Sequence, residues 1–207
     1  MGILSFSECC QCHGQIMFWN VENFFDCSDD PLTNDDDFTP KGYYRWCRSH
    51  FLHKRNMIAK TIVAAADSLP PPVVALAEVE NRYVIEELLK QTVLAKFDYA
   101  VIHRNSPAPR GIDVAILYDR GRFRLLEKEF IPADTLRTRE IVRARGVMEG
   151  DTIDVLATHW PSKLHGSSPS DWRRATVAAI LLKKVDSLEN AGHQKILIVG
   201  DFNDTPD

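Results

Sequence analysis

No apolar run in this 207-residue chain approaches the roughly 18 residues that a membrane-spanning helix requires. The N-terminus, "MGILSFSECCQCHGQ", lacks the basic start and long apolar centre of a secretory signal. Its serine, Ser5, is off the spacing that myristoylation of Gly2 would need. A cytoplasmic location is the expectation. There is no internal repeat and no low-complexity segment, so a solenoid or a repeat array is excluded. Cysteine is scarce and odd in number. There are five, and Cys9, Cys10 and Cys12 crowd the first dozen residues. Such a set implies no disulfide framework and suits a reducing compartment. Cys9 and Cys12 followed by His13 have half of a zinc spacing, but no second ligand pair follows at a suitable distance. Residues 1–14 therefore read as a disordered tail. No strong charge excess exists either. Lys+Arg is 25 and Asp+Glu is 29, a net charge of −4, which argues against a protein that coats nucleic acid nonspecifically. A local basic groove stays open.

What is present is ordinary for one globular domain, here residues 15–207: 44% hydrophobic and 26% charged, with enough length for a large core. "QIMFWNVENFF" (15–25) reads as a buried strand that delivers polar residues at its C-terminal end. The segment 26–47, rich in Asp and Pro, is a long surface loop. Apolar residues at helical period over 49–68, with Ser49 as N-cap, predict a helix stopped by "LPPP". "VVALAEVEN" (73–81) is a second buried strand ending in acid, and 82–95 an amphipathic helix. Strands follow at 98–103, 112–119 and 122–132, the last two read as a hairpin across "RG". A second hairpin joins 140–149 to 152–160 across "GD". A long helix (168–192) stopped by Gly192 leads to the strand "KILIVGDFN" (195–203). Two sheets packed face to face with helices outside would use every element.

One pattern recurs. Asn20, Glu78, His159 and Asp201 each stand at the C-terminal end of an apolar strand. Polar groups in that position must be solvated, paired or bound to something. Each has an ordinary reading: Glu78 as a solvated acid, Asn20 and Asn23 as turn formers, His159 as a satisfied core histidine, "GDFND" as a turn. Each also has a chemical one. Glu78 suits a hard cation. A cationic His159 at the mouth of "HWPSK" would meet phosphate. Asp201 and Asn203 alternate along an extended chain and so share a side, a carboxylate for water and an amide for an oxyanion. Arg110, Arg137 and Arg139 are either solvated loop charges or bidentate phosphate contacts.

Taken in order, "NVEN", "ALAEVEN", "RGIDVAILYD", "TR", "THWPS" and "GDFNDTP" resemble the motifs of the endonuclease/exonuclease/phosphatase superfamily, the DNase I-like group, over about residues 15–207. The forms "FWNVENFFD" and "HWPSK" look most like its bacterial hydrolases. The resemblance implies an α/β, four-layer α/β/β/α sandwich and hydrolysis of phosphoesters with Mg²⁺ or Mn²⁺. The substrate would be nucleic acid or a small or lipid phosphodiester, with no obligate protein partner. Carried onto this sequence, Glu78 becomes the principal metal ligand, supported by Asn20. Asp201 orients or deprotonates the water. Asn203 and His159 stabilise the transition state, and Arg139, with Arg110, contacts phosphate. Lys163 stands where an arginine is frequent, keeping the charge but losing the fork. The alternative is a non-catalytic relative that keeps the fold as a binding domain. The resemblance also implies a further strand and a terminal Ser-Asp-His that this sequence lacks. The expectation is a fragment without the last strands, with apolar faces of 112–118 or 152–159 uncovered, prone to association and nearly inactive. His103 and His165 are the residues that would have to substitute for the absent histidine.

Overall fold

The computed structural model describes residues 2–6, 14–66, 68–133, 135–163 and 171–204, the first strand by its backbone. Among these residues, nine strands form two sheets. The first has the order β1-β2-β3-β5-β4, built from β1 Gly2–Phe6, β2 Gly14–Phe24, β3 Val73–Val79, β5 Asp113–Asp119 and β4 Tyr99–Ile102. The second has the order β6-β7-β8-β9, built from β6 Arg124–Ile131, β7 Ile141–Met148, β8 Asp151–His159 and β9 Ile196–Asp201. Two pairs are parallel, β2 with β3 and β8 with β9. Each pair is joined by a helix, α1 Arg48–Ala64 in the first and α3 Asp171–Asn190 in the second. A third helix, α2 Arg82–Lys90, follows β3.

Alternation along the strands sorts the side chains into three cores. Val73 and Ala75 of β3, Val114 and Ile116 of β5, Val142 and Ala144 of β7, and Val155 and Ala157 of β8 meet between the sheets. Val74, Leu76, Ala115 and Leu117 face the other way, onto Ile58 and Ile62 of α1 and Ile85 and Leu88 of α2. Leu156 and Ile141 pack beneath Val177 and Leu181 of α3. The result is the expected helix/sheet/sheet/helix sandwich. β3 and β5 read as continuous apolar runs because both of their faces are covered.

The structure changes several local expectations. Strands 112–119 and 122–132 do not form a hairpin. β5 pairs with β3 and β4, whereas β6 is an edge of the other sheet. The turn between them is held by Asp119, whose carboxylate accepts from the Gly121 amide at 2.8 Å and whose carbonyl accepts from that of Phe123 at 2.8 Å. The turn then drops Phe123 between the sheets, fully buried. A reversal signal fixes a turn, not the sheet that the next strand joins. The second hairpin is present, with Met148 opposite Asp151 and positive φ at Glu149 (54°) and Gly150 (86°), as a two-residue hairpin turn requires. The cap of α1 is Cys47, not Ser49, and the helix ends at Ala64. Asn81 caps α2 by accepting from Val84 N–H at 3.1 Å, and α2 ends at Lys90 before a 3-10 turn at Val93–Lys96. Residues 2–6, expected in a tail, pair antiparallel with β2, while Cys9, Cys10, Cys12 and His13 lie outside the described residues. The faces of 112–118 and 152–159 are covered. β5 lies between β3 and β4 and β8 between β7 and β9, and among the described residues the edges of the second sheet are β6 and β9.

A buried charge network holds α3 on its sheet. Arg143 and Asp154, both almost fully buried, meet at 2.6 Å. Arg143 also reaches Glu127 at 3.1 Å and Glu129 at 3.2 Å. Lys184 of α3 pairs with Glu129 at 2.6 Å, and His193, past the helix, meets Asp154 at 2.7 Å.

Candidate active site

Because each parallel pair runs in one direction, β2 and β3 end together, as do β8 and β9. Face-to-face packing then brings the four ends to one rim. Asn20 joins the two sheets there. Its side-chain amide donates to Asp201 Oδ2 at 2.8 Å and to Glu78 Oε1 at 3.3 Å. Its own Oδ1 accepts from the Glu22 amide at 2.9 Å, which fixes the orientation of the group. Asn20 is thus a donor between two carboxylates, with its oxygen already engaged, and this differs from its expected place as a metal ligand. His159 lies opposite Asp201 in the β8–β9 register, and its Nε2 is 3.9 Å from Glu78 Oε1. That distance is too long for a hydrogen bond.

The backbone is strained where the site is built. Glu78 (φ 65°), Asn23 (φ 63°), Glu22 (φ 55°) and Asn203 (φ 49°) all adopt the left-handed region, at about 1–3 kcal/mol each for side chains that gain nothing from it. At Glu78 the register slips against both neighbours, between Ala77 and Val79 on the β5 side and between Asn20 and Phe24 on the β2 side. Such a bulge re-aims one side chain. It turns the Glu78 carboxylate to the rim, where Oε2 accepts from the Asn23 amide at 2.8 Å. An apolar strand ending in "AEVEN" carries no sign of this bulge.

Cations surround the two acids. Arg139 is held by its Nε donating to the Ile112 carbonyl at 3.1 Å. Burial and then Arg110 push its guanidinium pKa down, while Glu78, Asp113 and Asp201 push it up. Arg110 donates to Asn23 Oδ1. Burial first, then Arg139, lowers the His159 pKa to about 3, so the imidazole is neutral at pH 7. This corrects the expectation of a cationic His159. With Glu78 it forms no ion pair, and its Nδ1 is buried without a hydrogen-bond partner among the described residues.

The remaining expected residues lie nearby with other partners. Asn203 donates its amide to the Trp160 carbonyl at 2.9 Å and its N–H to Asp201 Oδ1 at 3.0 Å. It shapes the loop that presents Asp201, and its side-chain amide does not stand free for an oxyanion. Lys163 pairs with Asp204 at 2.8 Å. His103 follows β4, half-buried, with its pKa lowered to about 4 by desolvation and then by Arg82. None of the named rim charges acts on it. His165 lies outside the described residues. Two residues, Lys54 and Asp113, went unforeseen, and Asn23, expected as a turn former, takes a further part. Lys54 of α1 is half-buried, and its electrostatic neighbours are Glu22 and Glu78. Asn23 supplies the amide for Glu78. Asp113, buried, accepts from the Ser106 hydroxyl and amide beside Arg139. Lys54 sits in an unexceptional helix sequence, and nothing in the local pattern marks it.

Comparison with known proteins agrees with this fold. Residues 15–207 match the model of the Endonuclease/Exonuclease/phosphatase family. The catalytic domain of human Nocturnin with bound sulfate superposes with a TM-score of 0.62 at 18% identity, covering 92% of this chain and 64% of that one. TDP2 from D. rerio, complexed with single-strand DNA product, gives 0.57 at 19%, with 92% and 60% covered. A mannosyl-6-phosphatase of Bacteroides thetaiotaomicron gives 0.58 at 14%, with 91% and 64% covered. The chain spans about half to two thirds of the length of the solved structures it matches. No curated protein sequence matches it. The two-sheet sandwich with its rim of acids defines a DNase I-like fold. The chain belongs to the endonuclease/exonuclease/phosphatase family.

Proposed function

We propose that this protein hydrolyses phosphoesters with the help of a divalent cation. The observation that carries the reading is the convergence of Asn20, Glu78, His159 and Asp201 from four strands of two sheets onto one rim flanked by Arg110 and Arg139. Among the described residues no group of three or more His, Cys, Asp or Glu is arranged to enclose a metal. Mg²⁺ does not need one, since it is commonly held by one or two carboxylates with water and substrate phosphate completing the shell. Glu78, whose Oε1 accepts from the Asn20 amide that also holds Asp201, fits that mode as the principal ligand. When bound, the cation would polarise the phosphoryl oxygens and lower the charge barrier to attack.

The protein's own residues divide the rest. Asp201, kept in orientation by Asn20 and by the Asn203 amide, accepts the proton of the attacking water. A neutral His159 can donate one N–H to a phosphoryl oxygen, and it adds no charge that would collapse onto Glu78. Arg139 and Arg110 offset the negative charge of the phosphate and of the two acids. The likeness to a DNA-bound protein and to a sugar phosphatase supports phosphate ester chemistry without choosing the leaving group, since sites are grafted on folds.

The test is hydrolysis of bis-p-nitrophenyl phosphate, p-nitrophenyl phosphate, a single-stranded oligonucleotide and mannose 6-phosphate with Mg²⁺, Mn²⁺ or EDTA. At least one should turn over with metal, and neither EDTA nor Glu78→Gln should leave the rate intact. Equal Mn²⁺ affinity of wild type and Glu78→Gln would sink the metal assignment.

A further inference from the structure

The described residues hold two free cysteines, Cys27 and Cys47, and the mechanism uses neither. They bracket the long loop between β2 and α1, Cys27 opening it and Cys47 closing it. The fold brings these two ends together. Trp46, beside Cys47, donates its indole N–H to the Phe25 carbonyl at 3.0 Å. Cys27 lines a cavity of about 300 Å³ together with Arg48 and Phe51. Phe51 in turn bonds its amide to the Cys47 carbonyl at 3.1 Å. The Trp46–Phe25 bond and the cavity shared by Cys27 and Arg48 bring the two ends of the loop together, and Cys47 lies close enough to Cys27 to act on it electrostatically.

The two sulfurs differ in chemistry. Cys47 is the N-cap of α1, a 17-residue helix. Its Sγ lies 3.0 Å from the Ser49 hydroxyl and 3.7 Å from His50 Nδ1. It is partly open to solvent. The Ser49 hydroxyl, then the amides of His50 and Ser49, pull its pKa below the ordinary thiol value. Cys27 is the opposite case. It is half-buried against the core around α1, and burial, then Asp26 and Cys47, push its pKa up. A partly accessible thiol of lowered pKa, held near a second, less acidic thiol, is the arrangement of a peroxide-reactive cysteine with its resolving partner.

We propose that Cys47 and Cys27 form an oxidation site, in which Cys47 reacts with hydrogen peroxide and Cys27 resolves the product to an intramolecular disulfide at the base of the 28–46 loop. In the first step the Cys47 thiolate attacks one peroxide oxygen. The O–O bond breaks, the leaving hydroxide takes a proton to become water, and the sulfur, oxidised by two electrons, becomes a sulfenic acid. In the second step the Cys27 sulfur attacks the sulfenyl sulfur of Cys47. The S–O bond breaks, and the hydroxide leaves as water with the proton from the Cys27 thiol. Two thiols and one peroxide give one disulfide and two waters. The bond would staple a loop that is anchored at its far side by the Asn34 amide on the Pro109 carbonyl at 2.7 Å. Pro109 is the neighbour of Arg110, so the staple lies one loop away from the rim.

The experiment treats the reduced, intact chain with one equivalent of hydrogen peroxide, blocks the remaining thiols and maps the products by peptide mass spectrometry. The expected product is a crosslink between the Cys27 and Cys47 peptides. Cys47→Ser should abolish it. Cys27→Ser should leave Cys47 as a sulfenic acid captured by dimedone. With peroxide absent, iodoacetamide should alkylate Cys47 on the order of tenfold faster than Cys27 at pH 7, as expected for a thiol with a lowered pKa, and Ser49→Ala should reduce that lead. The proposal is overturned if Cys47 stays reduced while Cys27 is oxidised. It is equally overturned if Cys47 is oxidised without a Cys27 crosslink, or if Cys47 pairs instead with Cys9, Cys10 or Cys12.

Discussion

Two charged clusters in this molecule have nearly the same composition and opposite character. At the rim stand Glu78, Asp201, His159, Arg139 and Arg110. Beneath α3 stand Asp154, Glu129, His193, Arg143 and Lys184. The second is built on regular strands, and Asp154 has partners on both oxygens, Arg143 on one and His193 on the other. The first is built on left-handed backbone at Glu78 and Asn23, and it leaves His159 Nδ1 without a partner among the described residues. Both carry buried charge, so burial alone does not separate scaffold from site. Strain together with an unmet hydrogen-bonding group does separate them, because a fold retains such costs only where something else depends on them.

That contrast sets the order of experiments. The largest effect should come from the rim, and in rate only. Asp201→Asn keeps the size and the Asn20 bond to one oxygen but removes the proton acceptor. Turnover of whichever ester proves to be a substrate should fall by ~10²–10⁴-fold, while the thermal midpoint holds or rises. A fall in stability equal to that in rate would make Asp201 a structural residue. Beneath α3 the outcome should reverse. Asp154→Ala strands a buried Arg143 and should cost about 3–5 kcal/mol in denaturant unfolding, with specific activity of the folded fraction unchanged. A rate effect at constant stability would show that the second cluster also serves the reaction.

Gly200 offers a case between the two. A Cβ built there would lie 2.4 Å from the Thr158 carbonyl oxygen and 2.6 Å from its Cγ2, both on the neighbouring strand. Gly200→Ala must push β9 away from β8 beside the His159–Asp201 pair. Overpacking of this kind costs about 1–3 kcal/mol, and the displacement should lower turnover more than that loss of stability implies. Parallel measurement of unfolding and turnover decides it. An unchanged rate would show that the rim tolerates a shift of β9.

Much of this was legible in the residues. The apolar runs of β3 and β5, the polar groups at four strand ends and the strand–helix–strand order of β2–α1–β3 and β8–α3–β9 follow from pattern alone. Three things did not. The Glu78 bulge depends on contacts from Asn23 and on two neighbouring strands, none of them local to "VVALAEV". The partition of β5 and β6 between sheets is decided by which faces are covered, not by the turn that joins them. The neutrality of His159 arises from burial and from Arg139, which is 20 positions away in sequence. Lys163 shows the same limit in reverse. Its position after "HWPS" suggested phosphate, and a partner four residues past the "GDFN" glycine, Asp204, holds it instead.

The smallest effect sharpens the comparison with a third group. Glu80, two residues past Glu78, is buried and faces Asp26, Asp30 and Asp35. Its pKa is raised to about 8, by burial first and then by these acids, against the Asp26 amide that donates to its Oε2. Strain is absent at Glu80, and its partner is met, so by the criterion above it belongs to the scaffold. The sign of its pH dependence follows. An unfolded Glu loses its proton near its ordinary value, 4.5, and the folded one near 8. Between those values the folded state binds more protons, so stability is fully present below about 4.5 and is lost as pH rises through 8. Glu80→Gln keeps an oxygen for the Asp26 amide and removes the ionisation. It should flatten the fall in thermal midpoint between pH 5 and 8, raising the value at pH 8 by about 2–4 °C for each kcal/mol recovered. Turnover at pH 6, where both forms are neutral at this position, should match wild type. A variant with the wild-type slope would mean that Glu80 ionises in place without cost. A variant with the expected slope but a lost rate at pH 6 would move Glu80 out of the scaffold and into the rim.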